Sequence, residues 1–176
     1  MFESVYVICL PHRKKYIQKL FDDIKFKNVS KEFKRIEFVN GVEGKKINYD
    51  DLASMGYDVL KEFRDPHSGR AMTSGEVGCV LSHFKVWKKS QKNKDKFALV
   101  FEDDIALADN FEKKLKDVME QLKSVEKSPD LLYLGRKPVS KTDEKKLTRD
   151  IVVASESWWT CGYMISKNFV DKVLNS

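Results

Sequence analysis

Three observations predict an α/β fold with a mostly parallel central sheet flanked by helices. Apolar runs of strand length alternate with amphipathic stretches of helical period through most of the chain. Helix-start signatures stand at Thr73 with Glu76 and at Asp109 with Glu112. The run Phe97-Ala98-Leu99-Val100-Phe101 drives straight into Glu102, Asp103 and Asp104, which places acids where open α/β sheets bind their ligands.

Taken in order, the first strand is expected over 4–10, stopped by Pro11, and a helix over 13–26 with Ile17, Leu20, Phe21 and Ile24 on one face. A second strand over 33–39 ends at the turn pair Asn40-Gly41. Residues 49–62 read as helix and 63–73 as loop. The helix capped by Thr73 runs to 91 and sets Val77, Val80, Leu81, Phe84 and Trp87 along one stripe, with His83 on its polar side. The acidic strand comes next, and then a helix started by Asp109 that turns Phe111, Leu115, Val118, Met119 and Leu122 inward. A short strand over 131–134 ends at Gly135. Residues 136–149 are polar, contain Pro138 and lack an apolar period, so they read as a mobile surface loop able to close over a substrate. Strands are expected at 151–154 and 162–165, and Ser166 caps a last helix that runs to 176.

At 176 residues with 41% hydrophobic content, the chain is one domain in length and can bury an adequate core. Its formal charge of +6, from 33 Lys and Arg against 27 Asp and Glu, is scattered in clusters such as Arg13-Lys14-Lys15 and Lys145-Lys146. That mild excess suits a phosphate-bearing small molecule, an anionic membrane surface or plain solubility. Neither zinc-finger spacing nor an RNA-binding sheet motif occurs, so no nucleic-acid partner is expected. Cys9, Cys79 and Cys161 lie far apart in apolar settings without a C-x-x-C pair, and read as buried small hydrophobes in a reducing compartment. The apolar run over 5–10 is too short for a signal-peptide core, and no stretch approaches the roughly 18 apolar residues of a membrane-spanning helix. The expectation is a soluble cytoplasmic protein with no integral membrane segment, peripheral association remaining open.

Three acids at a strand end repel one another, and desolvating any of them is costly unless a cation or hydrogen-bond donors sit opposite. Acidic loops after strands often just face water, but here Ile105-Ala106-Leu107-Ala108 follows at once and wedges the acids between apolar segments. Strand alternation sets Glu102 and Asp104 on one side and Asp103 on the other. Oxygen-only ligation suits Mg²⁺ or Mn²⁺ shared with the phosphate oxygens of a substrate.

Five segments then fall into one order: Gly75-Glu76-Val77-Gly78-Cys79-Val80-Leu81-Ser82-His83, Trp87, Glu102-Asp103-Asp104, Leu131-Leu132-Tyr133-Leu134-Gly135 and Gly162-Tyr163-Met164-Ile165-Ser166. Together they resemble glycosyltransferase family 25, which includes bacterial lipooligosaccharide galactosyltransferases and collagen galactosyltransferases. The resemblance implies a GT-A-like nucleotide-sugar fold, a UDP-sugar donor (most often UDP-galactose), Mn²⁺ or Mg²⁺, and inversion at the anomeric carbon. The acceptor it implies is a hydroxyl on a glycan or a hydroxylysine-type protein site. The family's acidic motif maps onto Glu102-Asp103-Asp104, with Asp104 as direct metal ligand, Glu102 helping to hold the metal or the ribose, and Asp103 bracing the loop. Leu10, His12 and Arg13 stand where the family contacts the nucleotide, and Asn40-Gly41 stands at the nucleotide-side turn, commonly Asp-Gly. Cys9 and Tyr16 occupy positions where the family usually has Asn and Arg. Family members usually continue well beyond the segment 162–166, and in GT-A enzymes a late residue, often histidine, commonly completes the metal site. Residues 1–176 are therefore expected to be a single glycosyltransferase domain without the family's C-terminal part.

An inverting transfer needs a base for the acceptor hydroxyl proton. Glu156 is the candidate, because it precedes Trp158 and Trp159, which can stack on a sugar; an ordinary solvated loop acid explains it equally. Glu76 is already explained by the capping box. His83 reads either as a cleft residue or as a hydrogen-bonded structural histidine. The rival functions are a non-catalytic nucleotide-sugar or partner-binding member of the same fold, and a nucleotidyl- or phosphotransferase. Against the latter, none of the 8 glycines falls in a phosphate-loop arrangement.

Overall fold

A computed structural model describes residues 3–23, 26–27, 31, 33–54, 56–57, 62–126, 128–139 and 144–175. Its strands are β1 (Ser4–Cys9), β2 (Arg35–Asn40), β3 (Phe97–Glu102), β4 (Leu131–Pro138) and β5 (Ser157–Ser166). The helices are α1 (Lys14–Asp22), α2 (Tyr49–Ser54), α3 (Ser74–Asn93), α4 (Phe111–Leu122) and α5 (Lys167–Leu174), with single 3₁₀ turns at Pro11–Arg13 and Gly44–Lys46. The strands form one sheet in the order β2-β1-β3-β5-β4. β1 pairs in parallel with β2 and β3, and β5 runs antiparallel to β3 and β4, so four strands point one way and β5 alone points back. This is the mixed α/β sheet flanked by helices that the alternation predicts. No helix among the described residues is long and apolar enough to cross a membrane.

β1 and β3 are central strands covered on both faces, which is why they read as continuous apolar runs. One face carries Val5, Val7, Leu99, Phe101 and Met164 against Phe26, Leu107 and Leu115 of α4. The other carries Tyr6, Ile8, Ala98, Val100, Tyr163 and Ile165 against Val86 of α3 and Val170 of α5. Glu102 continues the Ala98 and Val100 row. The first acid is thus delivered beneath α3.

α3 is seated by small residues. A Cβ added at Gly78 would lie 2.7 Å from the Val42 carbonyl oxygen and 2.9 Å from the Gly44 nitrogen, and one at Gly44 would lie 2.1 Å from the Ser74 carbonyl oxygen. Ser82 Oγ accepts from Val42 N at 2.8 Å and donates to Gly78 O at 2.7 Å, which satisfies both loop and helix backbone. The buried residues of α3 are Val77, Gly78, Ser82, His83, Val86 and Ser90, so Val77 of the expected stripe is buried whereas Val80 is exposed. The aromatic part of that stripe packs sideways: Trp87 meets Phe84 at 5.0 Å and Phe169 of α5 at 5.4 Å. The far end of α3 is tied to the start of β1 by Asp95, whose side chain is 2% exposed. Asp95 accepts from Ser4 Oγ at 2.7 Å and from the Tyr6 hydroxyl at 2.6 Å. Burial, then the bond to Asp95, pushes the Tyr6 phenol up to about 12.

Several expected elements differ. α4 starts at Phe111, with Asn110 at the cap position in the left-handed region (φ 59) and no side-chain cap. Asn tolerates that conformation, so the turn through Asn110 displaces the Asp109–Glu112 signature. Over 151–154 there is only an isolated bridge between Lys146 and Val152. Its backbone bonds close locally instead, Leu147 N to Ile151 O at 2.9 Å and Val153 N to Lys145 O at 2.8 Å, and Val152 and Val153 are exposed. The loop expected over 136–149 begins as the end of β4, and its Arg136 pairs with Glu144, which in turn accepts from Ser155 N and Oγ. Those bonds tie the segment to the sheet where a free lid was expected; residues 140–143 lie outside the described residues. β2 is shifted to end at Asn40, and α2 stops at Ser54, residues 58–61 of the expected helix also lying outside. Ile17 is buried on α1 as expected, and the side chains of Leu20, Phe21 and Ile24 are outside the described set. Ser166 caps α5 as read, accepting from Phe169 N at 3.1 Å. Of the cysteines only Cys9 is buried; Cys79 is exposed on the lining of a cleft, and Cys161 is half-buried with its thiol against the Gly135 carbonyl at 3.5 Å.

Gly78→Ala is expected to lower the unfolding free energy by about 1–3 kcal/mol in urea titrations, since the added methyl meets backbone that cannot swing aside. Gly75→Ala, whose Cβ would find only Thr73 Oγ1 at 3.8 Å, should stay within about 0.5 kcal/mol of wild type.

Candidate active site

In the parallel ladder Ile8 stands opposite Glu102 and Cys9 opposite Asn40, so the carboxyl ends of β1, β2 and β3 finish level with one another. A cleft of about 520 Å³ opens there. It brings together Leu10, His12, Arg13, Gly41, Glu102, Asp103 and Asp104, and adds Gly44, Cys79, Ser82 and His83 from the loop after β2 and from α3. Asn40 is not in the lining; its carbonyl accepts from Lys85 Nζ at 3.3 Å. Glu156 is not in it either.

All three acids line the cleft, which corrects the expectation that Asp103 points away. β3 ends at Glu102 and residues 103–104 form a turn, so strand alternation no longer governs them. Arg13 Nη1 lies 3.1 Å from Asp103 Oδ1, and the Asp103 side chain is 7% exposed. Its Oδ2 is buried with no hydrogen-bond partner among the described residues. The Arg13 guanidinium also lies 5.2 Å from the Tyr16 ring centre, so the tyrosine at this position steadies the cation from its other face. Asp104 is exposed on the turn.

Glu102 is held by a directed chain of hydrogen bonds. Trp87 Nε1, which can only donate, gives its proton to Tyr163 Oη at 3.2 Å. Tyr163 Oη and His83 Nδ1 are 2.7 Å apart, His83 Nε2 and Thr160 Oγ1 are 3.2 Å apart, and Thr160 Oγ1 donates to Glu102 Oε1 at 2.8 Å. Every group has a partner when Tyr163 donates to Nδ1 and a neutral His83 carries its proton on Nε2, facing Thr160 and, at 3.4 Å, Glu102 Oε1. The donors decide the outcome for the acid: His83 first, then Thr160, hold the Glu102 carboxyl below its usual range although burial opposes them. Desolvation and then the negative Glu102 push the Cys79 thiol up. Tyr163 is pushed up as well, by burial.

Outside the cleft, Glu76 does what the capping box requires. Thr73 Oγ1 accepts from Glu76 N at 3.2 Å, Thr73 N donates to Glu76 Oε2 at 2.7 Å, and Arg70 clamps both carboxylate oxygens, bringing the acid down to about 2. Glu156 is exposed and pairs with His67 Nε2 at 3.1 Å, and His67 stands edge-on to Trp158 at 5.4 Å. Trp159, 66% exposed, sits in the left-handed region (φ 70) with Lys137 Nζ 5.4 Å from its ring centre. Sequence reasoning missed Cys79, Ser82, Thr160 and Gly44. The spacing of Cys79 and His83, four apart on one helix, was the available signal; Thr160 left none.

The sheet and its acidic cleft define a GT-A-like domain, and the chain belongs to glycosyltransferase family 25. The family profile, described as "Glycosyltransferase family 25 (LPS biosynthesis protein)", matches residues 2–176. A "Probable inactive glycosyltransferase 25 family member 3" of Rattus norvegicus is 36% identical over 177 residues, covering 99% of this chain and 30% of its own. "Procollagen galactosyltransferase 1-A" of Xenopus laevis is 31% identical over 178 residues, 99% of this chain and 28% of its own. "Procollagen galactosyltransferase 2" of Homo sapiens is 30% identical with the same two coverages, 99% and 28%. The chain thus spans less than a third of the length of these relatives.

Because the folded pKa of Glu102 is depressed, the stability it contributes is complete above the unfolded value of about 4.3 and is lost as pH falls through the lower folded value. Thr160→Val removes one donor at nearly constant shape. It should raise the Glu102 carboxyl titration, followed by carbon-13 NMR of the side chain, toward the ordinary value; an unmoved titration would show that the hydroxyl does not hold the acid.

Proposed function

We propose that this chain transfers a hexose, taken as galactose, from a UDP-sugar to an acceptor hydroxyl on a glycan or a hydroxylysine-type protein site, with inversion. The observation that carries the reading is the meeting of Glu102, Asp103 and Asp104 with Leu10, Arg13 and Gly41 in one cleft at the carboxyl ends of three parallel strands. Galactose is supported by the printed names of two of the relatives above. Mn²⁺ or Mg²⁺ is the proposed cofactor, with Glu102 and Asp104 as its ligands. What supports it is that Glu102, Asp103 and Asp104 all line the cleft and offer only oxygen donors, and that Asp103 Oδ2 is buried with no hydrogen-bond partner among the described residues. When bound, the ion supplies neutralisation of the charge that develops on the departing diphosphate.

The chain's own residues do the rest. Arg13, already braced by Asp103 and Tyr16, is half-exposed and presents its remaining N–H groups to a phosphate. His12 lies beside it, 3.9 Å from Glu43. Gly41 lets the nucleotide approach the turn after β2, where a Cβ would stand 3.2 Å from Leu10 Cδ2. His83 and Thr160 keep Glu102 ionised and fixed in direction. For the acceptor side Glu156 is the proposed base; it stands outside the cleft lining and pairs with His67 Nε2 at 3.1 Å, so the role requires that pair to open toward an acceptor laid against Trp158.

A second reading, a donor-binding member without catalysis, is favoured by one observation: Glu102 Oε1 already accepts from Thr160 and faces His83. The printed names of four relatives contain "inactive". Release of UDP from UDP-galactose in the presence of Mn²⁺ separates the two. The transferase reading expects Mn²⁺-dependent release that falls by about 10²-fold or more in Asp104→Ala, the scale of losing one electrostatic stabiliser of the transition state. No release above the protein-free rate in either protein would leave only the donor-binding reading, and equal release above that rate in both would remove Asp104 as the ion's ligand.

A further inference from the structure

We propose that Cys79, His83 and Glu102 form a binding site for a thiophilic divalent cation of the Zn²⁺ type, which shares Glu102 with the carboxylate site above and so excludes it. Cys79 and His83 are four residues apart on α3 and share one face of it, and β3 brings Glu102 up from below. One ligand atom of each lies within 4.8 Å of the other two. His83 Nε2 and Glu102 Oε1 are already 3.4 Å apart. Two ligands about 2.1 Å from one tetrahedral ion keep roughly that separation. Cys79 is exposed, so its sulfur can turn toward the pair without disturbing the core. Thiolate, imidazole and carboxylate together select Zn²⁺ or Co²⁺ over Mg²⁺, and three protein ligands with a fourth position open to the cleft are the ligand count of zinc sites that accept an exogenous group.

The surroundings also suit a bound imidazole. Tyr163 Oη, 2.7 Å behind Nδ1, is the outer partner that fixes the ring of a metal-bound histidine. On binding, the ring proton moves from Nε2 to Nδ1 and is shared in a hydrogen bond to Tyr163 Oη, whose own O–H turns away from the ring and gives up Nδ1 as its acceptor, while the Cys79 thiol releases one proton to solvent. The cation takes the thiolate, the Nε2 lone pair and one Glu102 oxygen, and no electron is transferred. The site itself does not depend on the transferase reading. Only its consequence rests on that reading: a soft ion held here withdraws Glu102 from the hard ion and opposes transfer.

The test titrates the reduced full chain with Co²⁺ and follows the thiolate-to-cobalt absorption in the near ultraviolet. Wild type is expected to develop that band, and Zn²⁺ to abolish it. Cys79→Ser should lose the band and weaken Zn²⁺ binding by more than about tenfold, the loss that even an outer partner of a metal ligand causes. Circular dichroism checks that the variant folds, and Cys79→Ala is the second variant. Cys161→Ser should retain the band. Absence of the band in wild type, its survival without Cys79, or its loss in Cys161→Ser overturns the proposal. None of these readouts requires glycosyl transfer, so they stand or fall independently of UDP release.

Discussion

The close seating of α3 on the loop after β2 is the constraint on which the cleft depends. Neither Gly44 nor Gly78 has a side chain, so helix and loop approach to backbone contact, and Ser82 supplies the hydrogen bonds that such an approach would leave unmade. That seating decides which row of α3 turns down to the sheet. Cys79 and His83 come with it, and the acid that ends β3 finds a donor above it where solvent would otherwise be. The interior at this point is polar by design of the packing, since a helix held by small residues places the groups next to those residues against the strands.

This also explains why the helix was readable in the sequence while its buried face was not. The Thr73–Glu76 capping box marks the start of α3 by purely local bonds, and it forms as read. The apolar stripe marks only part of that face: Val77 is buried and Val80 exposed, glycine and serine make the close packing, and large side chains find partners sideways, as Phe84, Trp87 and Phe169 do. The same logic separates the two capping signatures. At Asp109 the local pattern was present but the chain passes through Asn110 in a left-handed turn, and the helix starts beyond it. Segment 151–154 had strand composition, yet its hydrogen bonds close on its own neighbours over 145–148 rather than on the sheet.

For the site, the acids and the first-strand end were legible because they follow apolar runs and parallel strands finish together. Leu10, Gly41 and Glu102 needed only the sheet's register to meet. Asn40 shows the resolution of that reasoning: a strand shifted by one residue takes the neighbour into the cleft and leaves Asn40 in the ladder opposite Cys9. Glu156 was placed by its tryptophans, and the tryptophans lie on the exposed early part of β5. Thr160 was invisible because its partner is 58 residues away, and nothing in the sequence near either one reports an antiparallel pairing between them.

That pairing has a consequence for the order in which the protein can be made. β5 follows the other four described strands and runs against its neighbours, so the end of it that reaches the cleft is the end synthesised first, yet it is anchored only when Gly162 to Ser166 lie along β3. During vectorial synthesis, β1, β2 and β3 can assemble while Glu102 still lacks the hydroxyl and the phenol that steady it. The acidic edge thus matures only once β5 has been made, and a nascent chain carries its repelling carboxylates in water until the returning strand closes the sheet.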